Sequence, residues 1–314
     1  MRTVFLDKDS LSLGFRPPRC ASPYVEYGAT AAGEVVQRLS GATIAIVNKV
    51  DLHAAELARL PDLRLIAIVG TGYDCVEVDY CRAHGIAVAN VRDYAMYAVS
   101  EHVFALLLAL RRNLAGYAAL IAGGEWQRSA LFCRYGPPIH DLHGSVLGIV
   151  GSGSIGRATA ALGAAFGMRV ILSSSPSHPA GVDGRVTLRE LLPQLDVLSL
   201  HCPLTVTTRG MIGAAELRAM KPTAILINTA RGGLVDEAAL AEALRGGWIA
   251  GAGFDVLSAE PPADGNALLE LRQANFILTP HVAWASDEAM RILADQLADT
   301  IDAWADGAPR NLVV

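Results

Sequence analysis

Cysteine is scarce in this sequence, aromatic residues make up only 6 % of it, and charged residues 18 %. The five cysteines (Cys20, Cys75, Cys81, Cys133 and Cys202) are odd in number and scattered, with no C-x-x-C pair. That pattern argues against a disulfide framework and predicts reduced thiols in a cytoplasmic protein. No block of Lys or Arg stands out, and the formal net charge is −5, so nucleic acid is not the expected partner. Long apolar runs are missing too. The longest, residues 103–110, is far too short to span a bilayer and reads as part of a buried helix, so no membrane partner is expected. The opening residues place Arg2, Asp7, Lys8 and Asp9 where a signal peptide would need its apolar stretch. What is abundant is apolar side chain, 52 % of 314 residues, enough for two domains at about 100–200 residues each.

The first third alternates. Short β-branched runs at 3–6, 44–47, 65–69 and 86–89 are separated by helical stretches such as 33–39 and 54–60. Strands alternating with helices imply βαβ units and a parallel sheet. A long helix is expected over 99–121, apolar through Leu110, polar at Arg111-Arg112-Asn113, and stopped by Gly123-Gly124. A Gly/Pro/His-rich loop, 136–144, leads to a second alternating series with strands at 146–150, 169–172, 197–200, 224–227, 249–254 and 276–278. Six strands match the count of a dinucleotide-binding fold. The segment 286–305 carries Met290, Leu293, Leu297, Ile301 and Trp304 at helical spacing.

The strand 146–150 runs into Gly151-Ser152-Gly153-Ser154-Ile155-Gly156, a G-x-G-x-x-G turn, and a helix is expected over 157–166. Gly151 permits the tight turn, Gly153 lets a pyrophosphate approach the backbone, and Gly156 lets helix and strand pack closely. The helix N-terminus adds free N–H groups and partial positive charge. S-adenosylmethionine enzymes share such turns, so the glycines alone do not specify a nicotinamide. Sites for NAD place Asp or Glu at the end of the next strand, on the ribose 2′-hydroxyl. Here that end reads Ser173-Ser174-Ser175-Pro176-Ser177-His178, with no carboxylate. Serines can donate to a 2′-phosphate, which a carboxylate would repel, so NADP or NAD is expected with a lean to NADP. The window lacks the Arg that NADP sites often use; Arg185 is the nearest one downstream.

Three charged residues lie past successive strands of this second series, where open α/β sheets bind ligands: Arg231, Glu260 and His281. Each alone could be structural, as a capping Arg, an exposed Glu before Pro-Pro and a satisfied His. Together they suit reduction of a 2-keto acid. Arg231 can fork onto a carboxylate and carbonyl. His281 can give a proton to the new alkoxide or take it in oxidation, and Glu260 can hold its other nitrogen and favour the imidazolium.

The ordered segments GSGSIG, HCPLT (201–205), INTARGGLVDE (227–237), FDVLSAEPP (254–262) and TPHVAWAS (279–286) resemble the D-isomer-specific 2-hydroxyacid dehydrogenases. The resemblance runs from about residue 65 to the end. It is most similar to the glycerate dehydrogenase/hydroxypyruvate reductase branch, with hydroxypyruvate and glyoxylate as first substrates. It implies an α/β protein of two doubly wound parallel-sheet domains. A flavodoxin-like substrate domain (1–97 and 283–314) would receive an inserted Rossmann dinucleotide-binding domain (98–282), with substrate in the cleft and hinge closure excluding water. Arg231 would bind substrate, His281 would be the acid/base supported by Glu260, and the backbone at Val69-Gly70-Thr71-Gly72 would hold the substrate carboxylate. The dinucleotide would be lined by Gly151, Gly153, Ser154, Ile155, Gly156, Ser173, Ser174, Ser175, His201, Cys202, Pro203, Thr208, Thr229, Ala230, Arg231, Asp255 and His281, with Asp255 on the nicotinamide carboxamide. A homodimer formed through residues 99–143 is expected as well.

The chain departs from the family at Cys75, where Asn is common; the mechanism needs no thiolate, so Cys75 is not a catalytic candidate. His140-x-x-His143 has no acidic or Cys cluster beside it and reads as a polar loop, and no metal is expected. Tyr94, Met96 and Trp284 are open between pocket and core. A competing reading of another class is a nucleotide-sensing regulator with the same fold and little turnover. A Rossmann methyltransferase does not account for Arg231, Glu260 and His281.

Overall fold

The computed structural model describes residues 1–174 and 185–314, which form two compact units, Met1–Ala95 with Ala285–Val314, and Met96–Trp284. The first unit begins with β1 (Thr3–Phe5), β2 (Tyr24–Glu26), α1 (Val35–Leu39), β3 (Ile44–Val47), α2 (Ala54–Leu57), β4 (Leu65–Ile68), α3 (Val78–His84) and β5 (Ala87–Ala89). All five strands are parallel, in the order β2-β1-β3-β4-β5, one of the two common doubly wound orders. Every residue of β1, β3 and β4 is buried, because helices cover both faces; this is why they read as uninterrupted apolar runs. The edge strand β2, Tyr-Val-Glu, is missing from the sequence-based expectation. Three residues with half-exposed side chains carry no periodic signal, and the pairing of Thr3 with Tyr24 places them.

The second unit holds α4 (Met96–Arg111), α5 (Leu114–Ala122), β6 (Val146–Val150), α6 (Ser154–Ala165), β7 (Arg169–Ser173), α7 (Leu188–Leu191), β8 (Val197–Leu200), α8 (Ala214–Ala219), β9 (Ile225–Asn228), α9 (Glu237–Arg245), β10 (Gly251–Phe254) and β11 (Phe276–Leu278). The single helix expected over 99–121 is two helices bent by 53°. Asn113 breaks it by taking a left-handed conformation, φ 51°, which Asn adopts more readily than most residues. The buried Arg111 guanidinium donates to the Asp141 carbonyl at 3.0 Å beside the break. Among the described residues no single helix is long and apolar enough to cross a membrane. The helix expected from residue 157 starts at Ser154, so Gly156 lies inside its first turn.

The six strands run parallel in the order β11-β10-β9-β8-β6-β7. A lone parallel bridge from Ser173 to Val186 adds a seventh position outside β7. Counted with that bridge, the strands flanking β6 have the 3-2-1-4-5-6 order of dinucleotide-binding sheets, with β11 one strand beyond. Alternate residues serve opposite layers. Val150, Leu198, Leu200 and Leu226 pack with α8 and α9, whereas Leu147, Ile149, Val197 and Ile227 pack with Val103, Phe104 and Leu107 of α4.

The last helix, α10 (Asp287–Ala305), belongs to the first unit. Ser286 caps it, accepting from Ala289 N at 3.1 Å, and it buries Met290, Leu293, Leu297 and Ile301. The chain then pairs with β5, Val313 N donating to Val88 O at 2.7 Å.

Candidate active site

The glycine turn is built as an opening. Gly151 has φ 97°, and a Cβ there would stand 2.5 Å from the His201 carbonyl oxygen; at Gly156 it would meet the Gly151 carbonyl oxygen at 2.0 Å. Only hydrogen fits at either position. Gly153 differs: among the described residues nothing lies within 4 Å of the place its Cβ would take. It caps α6 without a side-chain hydrogen bond, so among the described residues no capping side chain covers the N–H groups of Ser154 and Ile155. A dinucleotide pyrophosphate fits such a terminus. Directly against the glycine turn lies His201, which begins the 201–208 segment. There, Thr208 Oγ1 donates to the Pro203 carbonyl at 2.8 Å, and Cys202 is buried. Burial pushes the His201 imidazole down to about 4 and the Cys202 thiol up to about 11, so both are neutral near pH 7.

Two serines expected at the ribose are turned inward. Ser173 and Ser174 are buried; the Ser173 hydroxyl donates to the Ser174 carbonyl at 3.0 Å and the Ser174 hydroxyl to the Val186 carbonyl at 3.3 Å. Ser175 lies outside the described residues. The cation at this end is Arg185, whose Nη2 donates to Ser152 Oγ of the glycine turn. It is 33 residues from Ser152 along the chain, and the Ser173–Val186 bridge brings it back.

Past β9, the buried Asn228 ties down the Thr229-Ala230-Arg231 turn. Its Oδ1 accepts from Ala230 N at 3.1 Å, and its Nδ2 donates to the Arg231 carbonyl at 2.9 Å. Thr229 Oγ1 is buried and has no hydrogen-bond partner among the described residues, and a polar ligand group would satisfy it. Arg231 is half-buried, and its Nη1 donates to the Ala230 carbonyl at 2.7 Å.

Past β10 and β11, the loops carrying Glu260 and His281 converge. His281 Nδ1 and Glu260 Oε2 are 2.6 Å apart. A carboxylate can only accept, so Nδ1 carries the hydrogen and Nε2 is left for a substrate proton. Glu260 is itself pinned, its Oε1 accepting from Leu257 N at 2.8 Å. Glu237 holds the same loop, accepting from Ser258 N at 2.7 Å and from Asn266 Nδ2 at 2.7 Å.

Asp255, 1 % exposed, organises the His281 turn. Its main-chain oxygen accepts from His281 N at 2.7 Å, its Oδ1 from Val282 N at 3.0 Å, and its Oδ2 from Ala283 N at 2.8 Å. The family resemblance implies a place for this carboxylate on the nicotinamide carboxamide; in the structure it binds the turn. Glu237 and Asp255 had no sequence signal for these contacts, because they join residues far apart in the chain.

In the other unit, Val69, Gly70, Thr71 and Gly72 follow β4. The turn is braced on the two residues that follow β5: Val91 N donates to Gly70 O at 2.9 Å, Thr71 Oγ1 to Val91 O at 2.8 Å, and Asn90 Nδ2 to Thr71 O at 2.7 Å.

Comparison with known proteins adds to this geometry. A family model described as "D-isomer specific 2-hydroxyacid dehydrogenase, NAD binding domain" matches residues 104–283. A glycerate dehydrogenase of Methylorubrum extorquens is 50 % identical over 313 residues, covering 99 % of this chain and 98 % of the relative. The solved NADPH-dependent glyoxylate/hydroxypyruvate reductase of Sinorhizobium meliloti is 30 % identical with TM-score 0.81, covering 100 % of this chain and 98 % of that one. A D-lactate dehydrogenase of Aquifex aeolicus, solved with NAD and lactic acid, is 28 % identical with TM-score 0.82, over 98 % and 96 %.

Proposed function

The chain belongs to the D-isomer-specific 2-hydroxyacid dehydrogenase family, and from that premise we propose that it reduces hydroxypyruvate or glyoxylate to the 2-hydroxy acid (of D configuration where C2 is a stereocentre), with NADPH preferred to NADH. It is an enzyme that moves a hydride between NAD(P)H and C2 of a small 2-keto or 2-hydroxy acid. The observation that carries the residue assignment is the 2.6 Å contact of His281 Nδ1 with Glu260. It leaves Nε2 to protonate the alkoxide in reduction and to take the proton back in oxidation. Arg231, on a turn fixed by Asn228, holds the substrate carboxylate and polarises its carbonyl. Val69–Gly72 is assigned to a substrate carboxylate on the family resemblance alone.

The Gly151–Gly156 turn, the 201–208 segment and the Thr229 hydroxyl would hold the dinucleotide, which when bound supplies or accepts the hydride. Support for NADPH comes from the lack of a carboxylate at the end of β7 and from the reach of Arg185 to Ser152. A homodimer is proposed through residues 99–143. Phe132 and Tyr135 there are 92 % and 75 % exposed, beside the exposed Trp126 and Leu131, an apolar surface of the kind that marks an interface. The five free cysteines support a cytoplasmic location. The regulator alternative gains nothing from these relatives, whose names are those of enzymes.

The test is NADPH and NADH consumption with hydroxypyruvate, glyoxylate, pyruvate, phenylpyruvate and 2-ketogluconate. Turnover concentrated on the first two acids, fastest with NADPH, is expected; no turnover with any acid despite cofactor binding would restore the regulator. Arg185→Ala should raise KM for NADPH about tenfold and leave NADH nearly unchanged, since a bidentate cation–phosphate pair is lost.

A further inference from the structure

His281 stands in a left-handed conformation, φ 57°, which is uncommon for any residue other than glycine. Three successive N–H groups, from His281, Val282 and Ala283, converge on Asp255, so the orientation of that one residue sets where the imidazole points. The Asp255 carboxylate is aimed in turn by Thr279, whose Oγ1 lies 2.5 Å from Oδ1. A hydroxyl has one hydrogen and a carboxylate has none to give, so Thr279 donates to Asp255. The alternative acceptor, the Phe254 carbonyl, is 3.4 Å away. The remaining contact of Thr279 Oγ1 is His102 Nε2, at 2.9 Å. With the hydroxyl hydrogen already committed, His102 Nε2 must be the donor.

We infer that His102 is a positioning residue for His281, acting through Thr279 and Asp255. It rises from α4, which packs on β10 and β11, so the chain of hydrogen bonds refers the turn to a helix rather than to another loop. Its neighbours on that helix, Val99, Val103, Phe104 and Leu106, are buried and apolar. This ring is the polar group that α4 directs at Thr279. The inference rests on the reading of His281 as the acid/base.

The experiment compares donors with shapes. His102→Leu should lower kcat about tenfold with KM for the acid and Kd for NADPH within about twofold, whereas His102→Gln, which keeps an N–H donor, should retain at least about half of kcat. Thr279→Val and Thr279→Ser should divide in the same way. The double variant His102→Leu/Thr279→Val should be no worse than its worse single variant, because both break one chain. Amide hydrogen exchange at Val282 and Ala283, followed without substrate or cofactor, should quicken in the Leu and Val variants only. Unchanged kcat and exchange in both of those variants would overturn the inference, as would equal losses in the donor-keeping and donor-lacking pairs. Should His102→Leu fail to fold, the Thr279 pair decides. Should the wild type reduce no acid, the functional reading falls, while the exchange comparison still decides the relay.

Discussion

At the carboxyl end of its first strand, the Met1–Ala95 unit turns a carboxylate onto its own backbone, whereas the Met96–Trp284 unit carries a glycine turn there. Asp7 follows β1 and accepts from Asn48 N at 3.0 Å and Lys49 N at 2.7 Å. Burial raises its pKa, and these N–H groups oppose that rise. Gly151 and Gly153 follow β6 and leave the start of α6 uncapped. One sheet end carries its own anion and the other is left open for one. Two sheets of the same architecture thus differ in chemistry through a few residues past the first strand, which is why function has to be argued from sites rather than folds.

If the chemistry resides in the second unit, the largest effect belongs to His281. His281→Ala should lower kcat by about 10²–10⁴-fold with the NADPH Kd, read by fluorescence, unchanged, the range expected for a lost acid/base. A matching loss of cofactor affinity would mean that the ring shapes the turn instead.

The next effect separates two glycines of one turn. Gly156→Ala puts a Cβ 2.0 Å from the Gly151 carbonyl oxygen and should lower stability by about 1–3 kcal/mol, the usual cost of overpacking. Gly153→Ala meets nothing among the described residues and should keep Tm, yet weaken NADPH about tenfold by filling the approach of the pyrophosphate. Gly14→Ala, equally open in the first unit, should do neither. Thermal melts and NADPH titrations of the three variants test this; equal effects of Gly153→Ala and Gly14→Ala would erase the contrast between the units.

The smallest effect is one of pH. His201 titrates at about 4 in the folded protein because it is buried, against roughly 6.5 for an exposed imidazole. As pH falls, the unfolded chain takes up this proton first, so the contribution is complete above about 6.5 and is lost as pH falls toward 4. The wild type should therefore lose more Tm between pH 7 and pH 5 than His201→Asn does. Equal slopes would refute a buried neutral His201.

Much of this was legible in the chain. Strands buried on both faces announce themselves as apolar runs, and β3, β6 and β8 lie where those runs placed them. The glycine turn was legible because its spacing encodes a steric demand. Arg231, Glu260 and His281 were legible because each follows a strand. Other features were not. β2 has too few buried side chains to leave a pattern, the helix break at Asn113 depends on one residue's left-handed backbone, and Arg185 is distant along the chain from the turn it reaches.

By itself the sequence determined the two alternating series, the family, the open glycine turn and the identity of the three charged residues. These follow from local periodicity and from residue types that only certain backbones or reactions require. Tertiary structure alone decided how those residues are held. Glu237 on Ser258, Asp255 on the His281 turn, and His102 on Thr279 are contacts between segments about 20 to 180 residues apart. Their hydrogen bonds require a distance near 3 Å and a shared direction, which spacing along a chain does not encode and a packed sheet does.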